Sequence, residues 1–471
     1  MTAEQRPIRS SADLRGRHAV VLGLARSGIA AARFLADAGA RVTAYDRRPA
    51  AELTDAIDAL GGRDVELALG ISPNEVGALL ARADLLVTSP SVSARFPTTD
   101  PWLRDALVAA EARGAEVVSE IGLFLRLTRA HVLGVTGTKG KTTTTSVLGA
   151  MLEAGGVPTV VGGNIGTPLI ERADELIADA WAVLELSELQ LPTIDRGADI
   201  ALYTNIGEDH LDRHGSVEAY RAVKARLAEL SVPSGRILLN RDDPGCLELA
   251  ARLPTASVAW YALERSEGTD ASIDADGWLV VRGERIVAAA DVPLPGRHML
   301  SNVVGAALAA TLVGVEAERI AHAIREFPGV PHRLEAVGER NGVRWINDSQ
   351  ATIPVAAIAA LESFDAPIVL IAGGKDKGLE YNAFADAIAA RCRAAVLIGE
   401  TADELDRLID GRVPVYRAAD MNEAVAAAAS RAQPGDVALL APAAASFDMF
   451  VDYAARGDAF RDAVEHLGVG E

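Results

Sequence analysis

The chain has 471 residues, of which 49% are hydrophobic and 24% are charged, a composition typical of a globular protein with several domains. Its formal net charge of -19 argues against nucleic-acid binding, because the affinity of such proteins comes largely from basic patches. Two cysteines in no C-x-x-C pattern and no long apolar run predict a cytoplasmic protein without disulfides, cysteine zinc sites or membrane spans.

The first predicted elements are a strand, a Gly-rich turn and a helix. His18–Leu22 is predicted as a strand, Gly23–Gly28 as a turn, Ile29–Ala38 as a helix and Arg41–Tyr45 as the next strand. Such a βαβ unit predicts a parallel sheet covered by helices. It also raises the alternative of an NAD-dependent dehydrogenase, but the glycine spacing is not the G-x-G-x-x-G of dinucleotide-binding turns.

A second strand–loop–helix unit begins near residue 131. His131–Val135 is predicted as a strand, Thr136–Lys141 as a Gly-rich loop and Thr142–Glu153 as a helix. The loop matches the P-loop pattern except that Val135 stands in place of the first glycine. Its glycines allow backbone N–H groups to face phosphate, so the segment predicts nucleotide binding, and a tight turn with an exposed lysine is the alternative.

Further along the chain, the apolar run Trp181–Leu184 places Glu185 at the end of a strand. Spacing alone predicts that Lys224 is a solvated lysine on a helix that Ser216 can cap. The segment Ala271–Val292 predicts a small antiparallel hairpin.

The last third of the chain again predicts an α/β domain. Its apolar runs Ile368–Ala372, Ala394–Ile398 and Val437–Leu440 are predicted strands, and the polar stretch Gly338–Gly342 is interpreted as part of a boundary. We therefore expect an α/β protein of three domains, residues 1–128, 129–329 and 330–471.

Several segments, in chain order, resemble the Mur ligase family. They are Thr136–Thr143, Gly163–Gly166, Glu185–Ser187, Asn205–His214, Pro331–Glu335 and Asn347–Ser349. The resemblance implies a Rossmann-like N-terminal domain that binds a UDP-substrate, a central P-loop ATPase-like domain with a mostly parallel sheet, and a Rossmann-like C-terminal domain that binds an amino acid. Folylpolyglutamate synthase shares the last two domains, but residues 12–125 argue against it.

The function implied by the resemblance is ATP-dependent addition of glutamate to UDP-N-acetylmuramoyl-L-alanine through an acyl phosphate, in cytoplasmic synthesis of peptidoglycan precursors. D-Glutamate is the family default, and L-glutamate is the alternative. A nucleotide-binding module without catalysis is a weaker alternative. We expect a monomer that binds neither membrane nor nucleic acid.

The same resemblance implies the roles of individual residues. The residues expected to bind ATP are Gly137, Thr138, Lys139, Gly140, Lys141, Thr142, Thr143, Asn302, Arg333 and Asp348. The catalytic residues are Lys141, Asn164, Glu185, His210 and Lys224. Two Mg²⁺ ions are expected on Thr142, Glu185, His210 and a carbamylated Lys224. The residues expected to bind the UDP-substrate are Ser27, Gly28, Asp46, Arg47 and Arg48. Those expected to bind the amino acid are Thr352, Lys377, Ser446 and Phe447.

The sequence departs from the family pattern at several positions. Gln350, Ile353 and Tyr453 stand where Lys, Asn and often Phe are usual, in or beside the expected amino-acid pocket. Glu188 follows the catalytic glutamate in place of Ser, and Lys139 replaces Asn in the phosphate loop. Because Gln350 removes a positive charge from a site for an anion, the departures leave the hand of the glutamate open.

Overall fold

The structure, a computed structural model, describes residues 8–96, 98–232 and 234–467. The chain divides into two compact units. The first unit contains the residues up to Ala289 together with Ser301–Ile324. The second unit contains Ala290–Leu300 and the residues from Arg325 onward. The first unit carries two sheets and the second unit one, within the described residues, so the α/β prediction is confirmed.

The N-terminal sheet has the strand order β3-β2-β1-β4-β5, and its neighbouring strands are all parallel. Its strands are β1 (His18–Leu22), β2 (Arg41–Asp46), β3 (Val65–Leu69), β4 (Leu85–Thr88) and β5 (Glu116–Ser119). Its helices are α1 (Arg26–Asp37), α2 (Thr54–Asp58), α3 (Pro73–Leu80), α4 (Pro101–Ala112) and α5 (Glu120–Leu127). The strand order reverses between β1 and β4, and ligands of open α/β sheets bind at such a point.

Helix α1 begins at Arg26, three residues earlier than the sequence predicts. The reason is the close contact between its first turn and the preceding strand. A Cβ at Gly28 would collide with the carbonyl oxygen of Gly23, so only glycine lets the helix start there. Ser27 and Gly28 therefore lie in the first helical turn, where backbone N–H groups favour an anion.

The central sheet has the strand order β14-β13-β12-β11-β10-β9-β6-β8-β7. Its strands are β6 (His131–Thr136), β7 (Thr159–Gly163), β8 (Trp181–Glu185), β9 (Ile200–Tyr203), β10 (Arg236–Asn240), β11 (Val258–Glu264), β12 (Ala271–Ile273), β13 (Trp278–Val281) and β14 (Glu284–Ala288). The strands from β7 to β12 pair in parallel, whereas β12, β13 and β14 pair antiparallel, which confirms the predicted hairpin.

The helices that follow the central strands are α6 (Lys141–Ala154), α7 (Leu211–His214), α8 (Val217–Ser231), α9 (Pro244–Ala250), α10 (Arg297–Val313) and α11 (Ala317–Arg325). Short 3-10 helices cover Ser11–Leu14, Ala50–Glu52, Ile170–Arg172, Leu191–Thr193, Thr255–Ser257 and Ala289–Asp291. None of the helices in the described residues is both long and apolar enough to cross a membrane.

The N-terminal and central sheets share one hydrophobic core within the first unit. Helix α5 links them and is almost wholly buried. Glu120, its first residue, accepts a hydrogen bond from the backbone N–H of Ile170 at 3.0 Å. Burial raises the pKa of the Glu120 carboxyl to about 7, although hydrogen bonds from Ile170 and Leu169 oppose this. A buried carboxyl group therefore connects α5 to the 3-10 helix Ile170–Arg172, which lies between β7 and β8.

The second unit has a sheet with the strand order β15-β16-β20-β17-β18-β19. Its strands are β15 (Glu335–Arg340), β16 (Val343–Asn347), β17 (Ile368–Gly373), β18 (Cys392–Ile398), β19 (Val415–Arg417) and β20 (Val437–Leu440). Its helices are α12 (Pro354–Glu362), α13 (Asn382–Arg391), α14 (Ala402–Ile409), α15 (Met421–Arg431) and α16 (Tyr453–Glu465). Gly338 lies within β15, and Asn341 and Gly342 form the turn to β16. The interpretation of this polar stretch as part of a boundary was therefore wrong.

Candidate active site

The phosphate loop joins β6 to α6, as the sequence predicts. Gly137 and Gly140 have φ values of 153° and 83°, which side chains other than glycine rarely adopt. A Cβ at Gly137 would collide with the hydroxyl of Thr204, and one at Gly140 would collide with the side-chain amide of Asn302. The loop therefore packs closely on Thr204, which follows β9, and on Asn302, which the sequence predicts to bind ATP.

The two lysines of the loop have different surroundings. Lys141 Nζ donates to the carbonyl oxygens of Gly137 and Thr138 at 3.0 and 3.1 Å. Lys139 Nζ lies 3.2 Å from Asp209 Oδ2, and the Lys139 backbone N–H donates to Asn205 Oδ1 at 2.9 Å. Lys141 thus stays beside the concave backbone of the loop, whereas Lys139 ties the loop to the segment after β9.

Glu185 and Asn164 meet at the carboxyl ends of the neighbouring strands β8 and β7. Asn164 Nδ2 donates to Glu185 Oε1 at 2.8 Å. The Glu185 side chain is 2% exposed, and its Oε2 atom has no hydrogen-bond partner among the described residues. A buried carboxylate oxygen without a donor is costly unless a cation binds it, so this atom fits a metal ion.

Lys224 lies on α8, and the Ser216 hydroxyl caps that helix by accepting the Ala219 N–H at 3.1 Å, as predicted. The prediction of a solvated lysine was wrong, because the Lys224 side chain is fully buried. Its Nζ donates to the carbonyl oxygen of Gly137 at 3.0 Å. Burial, followed by the neighbouring positive charge of Lys141, lowers the pKa of Lys224 to about 7.

His210 and Glu188 connect the segment after β9 to Lys224. His210 Nε2 lies 3.6 Å from Glu188 Oε1, and Lys224 Nζ lies 4.0 Å from Glu188 Oε2. Glu188 is 6% exposed and was not predicted as a site residue. The sequence signal was that Glu188 lies in the segment Ser187–Gln190, which departs from the family pattern. Only the folded structure shows that it lies between His210 and Lys224.

The set of donors decides how a metal ion could be held. No three His, Cys, Asp or Glu side chains of the described residues converge closely enough to hold an ion by themselves. Mg²⁺ commonly takes one or two carboxylates and completes its shell with waters and substrate phosphates. Glu185 beside the phosphate loop fits that arrangement.

The residues predicted to bind the UDP-substrate lie at the carboxyl edge of the N-terminal sheet. Asp46 Oδ2 accepts from the Leu24 N–H at 2.9 Å, and Arg48 donates to the same carboxylate through its guanidinium. Burial alone would raise the pKa of Asp46, but the hydrogen bonds from Arg48 and Leu24 lower it to about 2. Asp46 therefore holds the loops after β1 and β2 together, while the Arg47 and Arg48 side chains are exposed.

In the second unit, Arg333 lies in a tight turn before β15. Its guanidinium donates from Nε and Nη2 to Gln350 Oε1 at 3.1 and 2.8 Å. Asp348 is 7% exposed and accepts from the Leu334 N–H at 3.1 Å. Burial raises the pKa of Asp348 to about 6, although the Leu334 hydrogen bond and Arg333 oppose this. The two predicted nucleotide residues of this unit are therefore close neighbours.

The predicted amino-acid residues lie after β16, β17 and β20, which are adjacent in the sheet. Lys377 Nζ donates to the Thr352 carbonyl oxygen at 3.4 Å. Desolvation, followed by the charge of Arg456, lowers the pKa of Lys377. Ser446 is buried and Phe447 is 70% exposed, so these neighbours face different surroundings.

Arg456 is a structural residue of this region that the sequence reasoning missed. Its fully buried guanidinium donates to the carbonyl oxygens of Ser349, Ala444 and Ala445 at 2.9 to 3.1 Å. It thereby joins the loops after β16 and β20. A single arginine on α16 gives no sequence signal for this role.

Three family models match the chain in order. A Mur ligase MurD-like N-terminal domain matches residues 17–119, a Mur ligase middle domain matches residues 135–310, and a Mur ligase glutamate ligase domain matches residues 332–444. Relatives named UDP-N-acetylmuramoylalanine–D-glutamate ligase are 40% identical over most of both chains. The Solibacter usitatus relative covers 96% of this chain and 99% of its own, and the Acidobacterium capsulatum relative covers 96% and 97%.

Solved structures of similar fold include UDP-N-acetylmuramate-alanine ligase MurC from Thermotoga maritima, with a TM-score of 0.57 and 16% identity over 95% of this chain and 99% of that one. A pseudomurein peptide ligase type C from Methanothermus fervidus has a TM-score of 0.56 and 17% identity, over 96% and 100%. The fold and the phosphate loop define a P-loop-type nucleotide-binding protein of three α/β domains. With its close relatives, the chain belongs to the Mur ligase family of ATP-dependent amide ligases.

Proposed function

We propose that this protein joins D-glutamate to UDP-N-acetylmuramoyl-L-alanine with the conversion of ATP to ADP and phosphate. The observation that carries the substrate assignment is 40% identity, over nearly the whole of both chains, to relatives named for that reaction. The same similarity favours D-glutamate over the L-glutamate alternative. The buried, unpartnered oxygen of Glu185 beside the phosphate loop supports the metal-dependent phosphoryl step.

The reaction has two steps. The γ-phosphoryl group of ATP is transferred to the substrate carboxylate, which gives an acyl phosphate and ADP. The amino group of glutamate then attacks the acyl carbon, and phosphate leaves as the amide forms and a proton is lost. Lys141 and the N–H groups of the loop from Gly137 to Thr143 would hold the phosphates, because positioning and charge neutralisation dominate phosphoryl transfer.

Mg²⁺, when bound, would neutralise charge on the phosphate oxygens. Glu185, His210, Thr142 and a carbamylated Lys224 would hold two such ions. Asn164, which donates to Glu185, would contact the reacting end of the substrate. The buried Lys224 side chain and its lowered pKa support carbamylation, because a neutral amine is the form that adds CO₂. ¹³C NMR with labelled bicarbonate tests this: a carbamate signal should appear in the wild type and be absent in Lys224→Met.

The remaining residues would bind the ends of the substrates. Ser27 and Gly28, at the start of α1, would bind the pyrophosphate, and Asp46, Arg47 and Arg48 would lie near the uridine. Asn302 would contact adenine, Arg333 the nucleotide phosphates and Asp348 its ribose.

For the amino acid, Lys377 would bind the α-carboxylate, and Thr352, Ser446 and Phe447 would surround the side chain. We further propose the domain limits 1–128, 129–329 and 330–471, a monomeric state and a cytoplasmic location.

The deciding experiment supplies purified protein with ATP, Mg²⁺ and UDP-N-acetylmuramoyl-L-alanine, and adds D-glutamate or L-glutamate separately. Phosphate release and product mass are followed. We expect product with D-glutamate only. Product with L-glutamate only would overturn the assigned enantiomer, and no product with either, from folded protein that binds ATP, would overturn the function.

A further inference from the structure

The turn that carries Arg333 is held by unusual backbone geometry. His332 and Leu334, on either side of Arg333, have φ values of 62° and 43°, in the left-handed region that non-glycine residues rarely adopt. The His332 N–H donates to Glu335 Oε2 at 2.8 Å, and the Leu334 N–H donates to Asp348 Oδ1 at 3.1 Å. Such strain persists only where surrounding contacts enforce it, and it is common at functional sites.

Gln350 completes the fixation of this arginine. Its Oε1 atom accepts two hydrogen bonds from the Arg333 guanidinium, and its backbone N–H donates to the His332 carbonyl oxygen at 3.0 Å. On the other side, Gln350 Nε2 donates to the Tyr453 hydroxyl at 3.4 Å. The side chain of one neutral residue therefore lies between a cationic group and a phenol.

The backbone of Gln350 reaches the other predicted site of this unit. The Thr352 N–H donates to the Gln350 carbonyl oxygen at 2.8 Å, and Lys377 Nζ donates to the Thr352 carbonyl oxygen at 3.4 Å. Gln350 thus contacts Arg333 through its side chain. Through its main chain it contacts Thr352, one of the residues predicted to bind the amino acid.

An amide is suited to this position because it accepts and donates without a net charge. A lysine has no acceptor and would repel Arg333, whereas a glutamate would accept from Arg333 but would repel an anionic amino acid. We propose that Gln350 is a positioning residue that fixes the orientation of the Arg333 guanidinium, and that Tyr453 fixes the orientation of the Gln350 amide. This inference rests on the proposed function, in which Arg333 binds ATP and Lys377 binds glutamate.

Two substitutions that keep a side chain of similar length separate the effect on ATP binding from the effect on glutamate binding. Gln350→Met removes the acceptor, and we expect the Kd of Mg-ATP and the KM for ATP to rise about tenfold, with a change below about threefold in the KM for glutamate. Gln350→Glu keeps an acceptor for Arg333, so the ATP values should stay within about twofold, while the KM for glutamate rises about tenfold because of charge repulsion. A merely structural role would change both variants alike.

Tyr453→Phe provides the second measurement. Loss of the hydroxyl should raise the KM for ATP by about two- to threefold in the wild type and leave it unchanged in Gln350→Met, because the amide it orients is then absent. The control is Gln433→Leu, an exposed residue before β20 at the opposite end of the sheet, which should behave as the wild type.

The outcomes distinguish the two proposals. Equal ATP effects in Gln350→Met and Gln350→Glu, or additive effects of Gln350→Met and Tyr453→Phe, would overturn the positioning role. The Kd of Mg-ATP is measured without turnover by isothermal titration calorimetry. A wild type that binds Mg-ATP but forms no product would therefore overturn the proposed ligase function while the ATP comparison still tests Gln350. Melting temperatures identify any variant that fails to fold, and Tyr453→Phe then decides the question.

Discussion

The phosphate-loop region of the first unit and the arginine turn of the second unit hold their cationic groups in different ways. Around the loop, Lys141 and Lys224 donate to backbone carbonyl oxygens of the loop itself. In the turn, Arg333 donates to the side chain of Gln350. Backbone acceptors remain when side chains change, so the first arrangement is robust to substitution of neighbours and the second can be altered by one residue.

The largest expected effect concerns Glu185, whose buried carboxylate beside the phosphate loop has one oxygen without a hydrogen-bond partner among the described residues. Glu185→Gln should lower kcat by about 1000-fold, because a neutral amide replaces an anionic metal ligand. The melting temperature should not fall, since the substitution removes a buried negative charge that has a hydrogen-bond donor on only one of its two oxygens. Phosphate-release assays and thermal melts measure the two effects, and activity within tenfold of the wild type would contradict a role at the metal.

The next prediction concerns Arg456, a buried cation of the second unit that donates to backbone carbonyl oxygens, as the loop lysines do. Arg456→Met should lower the free energy of unfolding by about 3 kcal/mol, because several buried carbonyl oxygens lose their donor. Urea denaturation followed by circular dichroism measures the change. Arg407→Met, on a side chain that is 74% exposed, is the control and should change it by less than about 0.5 kcal/mol. Equal effects in both variants would argue against the role of Arg456.

Glu120 tests the junction between the two sheets of the first unit. Its folded pKa of about 7 exceeds its ordinary value of 4.5, so the folded protein binds this proton more tightly than the unfolded chain. Stability is therefore lost as the pH rises from 4.5 to about 7. Glu120→Gln should be more stable than the wild type at pH 8 by on the order of 1–3 kcal/mol, with the gain fading toward pH 4.5. Unfolding curves at several pH values check this, and a pH-independent difference would contradict it.

The smallest expected effect comes from removing a helix N-cap in each of the two units. Ser216→Ala removes the cap of α8, and Asp420→Ala removes that of α15, whose carboxylate accepts from the Glu423 N–H at 2.8 Å. Each should cost about 1 kcal/mol of unfolding free energy. Ser216→Ala should in addition lower activity modestly, because α8 carries Lys224. A loss of activity in Asp420→Ala, with unchanged activity in Ser216→Ala, would contradict this prediction.

The sequence predicted the elements that rest on local patterns. The strands at β1, β6 and β8 end where apolar runs meet Gly-rich or acidic residues, and Glu185 lies at a strand end as expected. The start of α1 was placed late because the close approach of Gly28 to the carbonyl oxygen of Gly23 depends on the backbone path of the turn, which the residue pattern does not show. The hairpin β15–β16 was missed because its turn is as polar as a linker.

The site was predicted less completely than the fold, because neighbours in space are not neighbours in sequence. Spacing suggested a solvated Lys224, yet α8 buries it against the phosphate loop. Glu188 and Gln350 were noted only as departures from a pattern. Their contacts with His210 and Arg333 depend on the segment after β9 and on a turn with positive φ values, which no local pattern reveals.

Helix α1 has a mechanical consequence for the first unit. Its first turn forms part of the edge where the UDP-substrate is proposed to bind, and farther along, Arg33 Nε lies 2.9 Å from Glu171 on the 3-10 helix Ile170–Arg172. Glu120 holds the first N–H of that short helix. One continuous helix therefore spans the distance between the proposed substrate edge and a segment that follows β7, so the spacing of these two regions is set by the length of α1.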